Sequence, residues 1–371
     1  MSYSEQLSKV ISEVIAPAAR QVDREGKFPR DGISALGSAG ILGLTVPAEH
    51  GGGDQGLAEA ADAVGQVAQA CGSTAMVLMM HYAATAVIAA HGPSAVLRDI
   101  AAGNHLTTLA FSETGSHSHF WAPVSTAETD ADSIVLNAKK SFVTSAGQAD
   151  SYVWSSRPVS ADAGMTLWLV PSDSLGLNIP SAFDGLGLRG NGSSPVTAAS
   201  VRIPSAARLG EDGVGLDIAF STCLPQFLIL NAAASVGQME AVIEATTAHM
   251  TGTKLEHLNQ TLADQPPARA GLAQMRITTD QVRTLLDDAI AALAVGRPDA
   301  SLRLLEVKAA AAEAAIQVTD RAMTVCGGSA FRTDLGIERR FRDARAARVM
   351  APTTEALHDF IGRALCGLPL M

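Results

Sequence analysis

Aromatic side chains make up only 4% of the 371 residues, so there is little here to stack on nucleic-acid bases. A net charge of −10 leaves no basic surface for a phosphate backbone either, and nucleic acid is not an expected partner. Cysteine is equally sparse. Cys71, Cys223, Cys326 and Cys366 lie far apart with no CxxC spacing, which argues against a disulfide framework or zinc site and for buried free thiols in a reducing compartment. The opening MSYSEQLSKV lacks the basic-then-apolar pattern of a secretory signal. The apolar runs are broken by Gly, Ser or charge before the roughly 18 residues of a membrane span. These absences point to a cytoplasmic, globular chain with no membrane span. Two catalytic signatures are missing as well: no GxSxG elbow exposes a nucleophilic serine, and Gly51–Gly53 are not followed by the Lys-Ser/Thr of a phosphate loop.

What is present is apolar residue, 47% of the chain, enough for one large core or several coupled ones. Val10, Ile11, Val14, Ile15 and Ala18 recur at helical spacing, as do Ala61, Val64, Val67, Ala68 and Cys71. Between them FPRDGISALGSAGILGLTVPAEHGGG reads as a helix pair followed by a turn-rich crossing. Near Thr107 the texture changes to short β-prone runs, TTLAF, SIVLN, SYVWSS, TLWLV and TAASVRI, separated by turn residues. Beyond Gly215 helical spacing returns, with Met275, Val282, Leu286, Ala289 and Leu293 as one stripe and the Ala-rich run from Leu302 to Val325 as another. The expected organisation is α+β: an N-terminal helical domain over 1–106, an antiparallel β domain over 107–212 and a helical bundle over 213–371.

The densest chemistry lies in AFSETGSHSHF, Ala110 to Phe120. His117 and His119, two apart, would share one face of a strand, but no third ligand stands nearby, so no metal site is expected. Gly185, Gly187 and Gly190 satisfy GxGxxG literally; the β-like SSPVTAASV that follows, rather than a helix, makes this a turn and not a dinucleotide fingerprint.

AFSETGSHSH resembles the flavin loop of the acyl-CoA dehydrogenase family, roughly A-L-T-E-P-G-x-G-S-D, without a gap. Four further segments resemble that family in the same order. They are the stretch ending TVPAEHGG, KKSFVTSAGQAD (K-x-W-I-T-N), GLRGNGSSPVTAASVRIPSAARLG, and CGGSAFRTDLGIERRFRDAR (G-G-x-G-(Y/F)…E-R…R-D-A). The resemblance implies a helical, β-barrel, helical fold, bound FAD, an acyl-thioester substrate, and a homo-oligomer, dimer or tetramer, with FAD at subunit interfaces. It places Ser112 and Thr144 as hydroxyls at the flavin ring, Ser118 beside cofactor and ligand, and Phe142 where a tryptophan packs on the isoalloxazine. Phe111 and Val143 accompany them, and Thr353 joins the cofactor contacts. A reduced flavin gains charge and a proton at this edge, so fixed donors there tune its potential. Gly327 and Gly328 match glycines that let backbone approach a neighbouring subunit's FAD.

The departures from the family pattern matter as much. Its catalytic carboxylate falls nine residues after Arg342, on Ala351, and the alternative position falls near Phe227; neither side chain takes a proton. TGTKLEHLN offers no equivalent of the Arg-x-x-Phe that clamps the cofactor, and Thr324 stands where a glutamine is usual. Three readings follow. One is a two-electron CH–CH oxidation of an acyl thioester with hydride transfer to flavin N5, Glu355 serving as a displaced base one helical turn from Ala351. A second is a flavin monooxygenase using reduced flavin and O2, with His81 and His358 as hydrogen-bonding partners of the oxygenated cofactor. The third is a non-catalytic partner subunit of a heteromeric dehydrogenase.

Overall fold

The computed structural model describes residues 2–370. It has the expected order of helices, strands and helices. The N-terminal part holds α1 (Tyr3–Val10), α2 (Ala16–Glu25), α3 (Arg30–Ser38), α4 (Leu57–Ala70), α5 (Gly72–His91) and α6 (Ser94–Ala101). Strands follow: β1 (Thr107–Ala110), β2 (Thr126–Asp130), β3 (Ser133–Val143), β4 (Ser151–Ser156), β5 (Thr166–Pro171), β6 (Leu177–Asn178), β7 (Ser194–Pro204) and β8 (Arg208–Leu209). Then come α7 (Gly215–Ile218), α8 (Leu224–Gly252), a small hairpin of β9 (Lys254–Leu255) and β10 (Gln260–Thr261), and the helices α9 (Pro266–Ala294), α10 (Ala300–Cys326), α11 (Ile337–Asp343), α12 (Arg345–Val349) and α13 (Thr354–Leu365). The chain groups into two compact units. One runs to Ala63 and resumes over Ser73–Gly185 and Arg189–Phe227; the other is Val64–Gly72, Leu186–Leu188 and the chain from Leu228.

In the first unit only Ile15 of the stripe expected over Val10, Ile11, Val14, Ile15 and Ala18 is buried; the other four are half-buried, and Leu7, Ala19 and Val22 complete the buried face. A π turn at Ile11–Ile15 separates α1 from α2 and advances the face by one residue, which 3.6-residue counting does not anticipate. The segment from Phe28 forms one helix, α3, rather than a pair. It is followed by turns that pass close to the end of α6: a Cβ on Gly43 would stand 2.7 Å from the Ala101 Cα. Helix α5 carries no Asp, Glu, Lys or Arg over its 20 residues and, like Gly215–Gly252, is long and apolar enough to cross a membrane. The expectation that every apolar run stops short of that length is corrected here. Most of both helices is buried inside the protein.

The β part forms two four-stranded sheets, ordered β1-β4-β5-β8 and β2-β3-β7-β6. An antiparallel barrel was the expectation. Instead the sheets stay open, and β1 pairs with β4 in parallel, Thr107 opposite Ser151 and Ala110 opposite Trp154. The β2–β3 excursion between them is long enough to bring the chain back in the same direction, which short β-prone runs do not disclose. Every residue of β1 and β4 is buried, as in strands covered on both faces, whereas β3 and β7 alternate. The pairing of β3 with β7 is interrupted between Lys140 and Val143, the bulge on which much of the site depends.

In the second unit the stripe Val64, Val67, Ala68 and Cys71 is buried as expected. So are Met275, Val282, Leu286 and Ala289 of α9, with Ala292 rather than Leu293 closing that face. Alanines allow α10 to lie close against α9 and α13.

Candidate functional site

The loop Ala110–Phe120 is held by a charge pair. Glu113 and Lys140 are both fully buried, with Lys140 Nζ 2.6 Å from Glu113 Oε1. Glu113 Oε2 accepts from the backbone N–H of Val124 (2.7 Å) and Ser125 (2.9 Å), and Oε1 also accepts the Ser125 hydroxyl. Lys140 donates its remaining protons to the Ser155 carbonyl (2.7 Å) and hydroxyl (2.9 Å), and its ammonium lies 5.1 Å from the Trp154 ring centroid. A buried ion pair survives only when its remaining lone pairs and protons find partners, as here. Burial pushes the Glu113 carboxyl up, but Lys140 and the donors around it outweigh that and hold it below its ordinary value. Burial pulls the Lys140 ammonium down against the carboxylate.

This pair fixes the register of the loop on β3. Ser141 N–H donates to Ser112 C=O (2.9 Å) and Thr114 N–H to Lys139 C=O (3.0 Å). Ser112 is thereby brought beside the Phe142–Thr144 segment. Phe142 has φ +51° and is 76% exposed, an apolar ring turned outward by a left-handed backbone at the bulge. Val143 returns inward and is buried, and Thr144 is buried with its hydroxyl 3.1 Å from that of Ser193. Phe111 stacks on Phe120, ring centroids 6.3 Å apart. Ser118, half-buried, sits in a turn closed by His119 N–H to Ser116 C=O (3.0 Å). His117 and His119 are exposed, and among the described residues no group of three or more His, Cys, Asp or Glu is placed to hold a metal ion.

His81 is not a ligand-facing group. It is fully buried in α5; Nδ1 accepts from Thr107 N–H (3.2 Å), so Nε2 carries the proton it donates to Leu42 C=O (3.0 Å). Burial lowers its pKa from 6.5 to about 4. Both ring nitrogens tie α5 to β1 and to the segment after α3, which corrects its assignment as a cofactor hydrogen-bonding residue.

In the second unit, Gly327 ends α10 at φ 56°, ψ −140°, a conformation open to glycine alone. A Cβ added at Gly327 or Gly328 meets no chain atom within 4 Å, so both glycines face open space. Phe331, four residues on, is 76% exposed.

The turn between α12 and α13 carries Ala351, half-exposed, and Thr353, whose hydroxyl caps α13 by accepting from Ala356 N–H (3.3 Å). Thr353 therefore already has a structural task. Glu355 is exposed and paired to Arg348 (3.1 Å). Its own backbone N–H and the Arg348 guanidinium hold its carboxyl below the ordinary range, the opposite of what a base near neutrality needs. His358 is exposed on the same helix. Phe227 is 8% exposed, and it and Ala351 place no carboxylate at either expected position.

In each unit some residues carry no motif signal. Glu113 and Lys140 are legible only as charges at inward-facing positions. Asp343, 5% exposed, accepts from the Leu188 N–H (2.6 Å), and a Cβ on Gly187 would lie 2.5 Å from the Arg342 carbonyl oxygen. The GLGLRG turn is thus locked to the RDAR segment. Lys308, fully buried, donates to the carbonyls of Met350 (3.1 Å) and Pro352 (2.7 Å). Asn231 points its Nδ2 at the Met350 sulfur (3.3 Å).

Sequence profiles of the N-terminal, middle and C-terminal domains of acyl-CoA dehydrogenases match residues 2–101, 108–201 and 213–366. Together they account for nearly the whole chain, which belongs to the acyl-CoA dehydrogenase family of enzymes. Among similar proteins are a probable acyl-CoA dehydrogenase of Bacillus subtilis (strain 168), 27% identical over 97% of this chain and 96% of its own, and the mitochondrial short-chain specific acyl-CoA dehydrogenase of Homo sapiens, 28% identical over 91% and 83%. The structure of butyryl-CoA dehydrogenase from Megasphaera elsdenii superposes with a TM-score of 0.92 over 98% of this chain and 97% of that one, at 23% identity, and shows the shared fold.

Proposed function

We propose that this chain is an FAD-dependent oxidoreductase that acts on an acyl thioester, as a homo-oligomer. The observation that carries the reading is Phe142, an aromatic ring held 76% exposed by a left-handed backbone beside the Ser112 and Thr144 hydroxyl segments. Left-handed backbone is uncommon for a non-glycine residue, and a bulge that turns such a ring out of its own core fits a planar partner supplied from outside. Gly327 and Gly328, facing open space, fit a cofactor brought against the backbone. The residues present therefore suit a flavin: Phe142 as the surface under the ring, Ser112, Ser118 and Thr144 as hydroxyls near its polar edge, Phe111 and Val143 as their support, while the two glycines suit the cofactor of a neighbouring subunit. A flavin bound there would supply two-electron acceptor chemistry.

What this chain's residues do not supply is a carboxylate at 351 or 227, and Glu355 is engaged with Arg348. A positioned base is worth roughly 10²–10⁴-fold, so α,β-dehydrogenation of an ordinary acyl-CoA is expected to be slow. That single departure favours a second reading, oxygenation by reduced flavin and O2, which needs no α-proton base; with His81 committed to the core, His358 is its remaining histidine.

One set of measurements separates the readings. The purified chain is assayed for bound flavin, mixed anaerobically with a panel of acyl-CoAs, and separately supplied with reduced flavin and O2. Bleaching of the flavin absorbance by a thioester supports oxidation of the thioester. Oxygen consumption coupled to a substrate supports the second reading. A chain that folds but retains no flavin under either condition refutes both and leaves the role of partner subunit.

A further inference from the structure

Lys308 is the buried cation that nothing above employs. It sits in α10 with no exposed surface, and its ammonium has no carboxylate in its hydrogen-bonding shell. Its partners are the carbonyls of Met350 and Pro352, the residues that bracket Ala351. A lysine stripped of water is costly to bury, and its flexible four-carbon stem adds the entropy of a fixed rotamer; an apolar side chain would fill the same space more cheaply. The charged groups around it are Glu313 on α10 itself, Arg348 on α12, and Glu355 on α13. Glu313 and Glu355 both lie on Arg348, at 3.2 Å and 3.1 Å. The two carboxylates that act on Lys308 from a distance are therefore already largely neutralised. From a third side Asn231 of α8 reaches the Met350 sulfur.

We infer that Lys308 is the positioning residue of position 351: by clasping the carbonyls on either side it fixes where that side chain stands and makes it a place where negative charge is stabilised. The inference rests on the proposed function for its relevance, since the family resemblance puts the acting group of the reaction at 351. The geometry itself does not depend on that reading. Burial lowers the Lys308 pKa to about 7, with Glu355 and Glu313 acting in the opposite sense, so the clasp changes charge within the range in which the protein is handled. Below that value Lys308 is an ammonium with protons for both carbonyls and a full charge behind residue 351. Above it the clasp loses a proton and its field when residue 351 is uncharged; an anion at 351 holds that proton on Lys308, and the two groups then titrate as a pair.

A thiol placed at 351 reports this without flavin or substrate. Ala351 is half-exposed, and of the native cysteines only Cys366 is exposed, so Ala351→Cys in a Cys366→Ser background presents one accessible thiol. Its rate of alkylation by iodoacetamide against pH gives its thiolate fraction, for which an ordinary cysteine titrates near ~8.5. The inflection is expected at least about one unit lower, which is roughly tenfold in thiolate fraction at pH 7. Adding Lys308→Gln, which keeps a hydrogen-bond donor but no charge, is expected to raise the inflection by about one unit. An inflection at the ordinary value in the Ala351→Cys protein overturns the inference, whatever the Lys308 variants do. So does an unchanged inflection in a Lys308→Gln protein whose circular dichroism is native. Loss of flavin binding, by contrast, sinks the functional reading and leaves this titration standing.

Discussion

Glu113 and Lys140 meet at 2.6 Å in the interior of the β part, each without exposed surface and each with its other hydrogen-bonding positions filled by Ser125, Val124 and Ser155. One contact thus joins three segments: the loop after β1, the bulged strand β3 and the strand β4. Its consequence for function is indirect, because the same register sets Ser112 against Ser141 and turns Phe142 outward.

Breaking that pair from one side leaves a charge buried without its counterpart, which typically costs about 3–5 kcal/mol. Lys140→Met alone and Glu113→Gln alone are therefore expected to lower stability strongly in urea titrations. Combining Lys140→Met with Glu113→Leu removes both charges and is expected to recover a large part of the loss. A double variant no more stable than the singles would mean that the network, not the charge, is what the site requires.

Phe142 supports the opposite expectation. Its ring is 76% exposed, so Phe142→Ala removes little buried surface and stability stays within about 0.5 kcal/mol. Flavin retained after gel filtration is expected to fall severalfold. Gly328→Ala makes a companion test, since a Cβ there meets nothing in the chain within 4 Å and Gly328 is not a left-handed position. The melting temperature is expected to hold while flavin content drops. Full flavin occupancy in both variants would remove the cofactor surface proposed for them.

The order of helices, strands and helices was legible because it rests on periodicity, and the five β-prone runs all became parts of strands. What was not legible depended on pairing. The parallel partnership of Thr107 with Ser151 is set by a return path and not by either strand's composition. The π turn at Ile11–Ile15 left only Ile15 of the counted positions on the buried face. At the site, hydroxyls and glycines showed as a pattern, whereas His81 looked like a ligand because its two partners are backbone groups 39 and 26 residues away. Lys308 likewise binds carbonyls, and a carbonyl has no letter in a sequence.

His81 also gives the protein an acid limit. Its pKa is about 4 in the fold against 6.5 for the free side chain, because burial disfavours the imidazolium. Between those values the unfolded chain binds the proton and the folded one does not, so stability is full above about pH 6.5 and declines as pH falls toward 4. The loss from this group is about 3 kcal/mol. Urea midpoints measured from pH 7 to 4 are expected to decline with that slope in the native chain and more weakly in His81→Gln, which carries no titrating ring. Equal slopes in the two would assign the acid limit elsewhere.

The missing carboxylate can be put back. Ala351 is half-exposed on a turn whose flanking carbonyls are both held by Lys308, so a longer side chain there has a fixed root and room to extend. A nearby ammonium favours the ionised form of a carboxylate, the form a base must have. If the protein oxidises thioesters on the family's plan, Ala351→Glu is expected to accelerate anaerobic bleaching of bound flavin by an acyl-CoA by about 10²-fold or more, within the range a positioned base provides. The gain is expected to shrink when Lys308→Gln is added, since the carboxylate then loses both its positioning and its field. Glu355→Gln, in the first turn of α13 while Ala351 lies outside that helix, and already paired to Arg348, is expected to leave the Ala351→Glu rate as it is. If Ala351→Glu retains flavin and its native circular dichroism yet bleaches no faster than the unmodified chain with any acyl-CoA tried, position 351 does not face the substrate's α-carbon, and oxygenation becomes the reading to pursue.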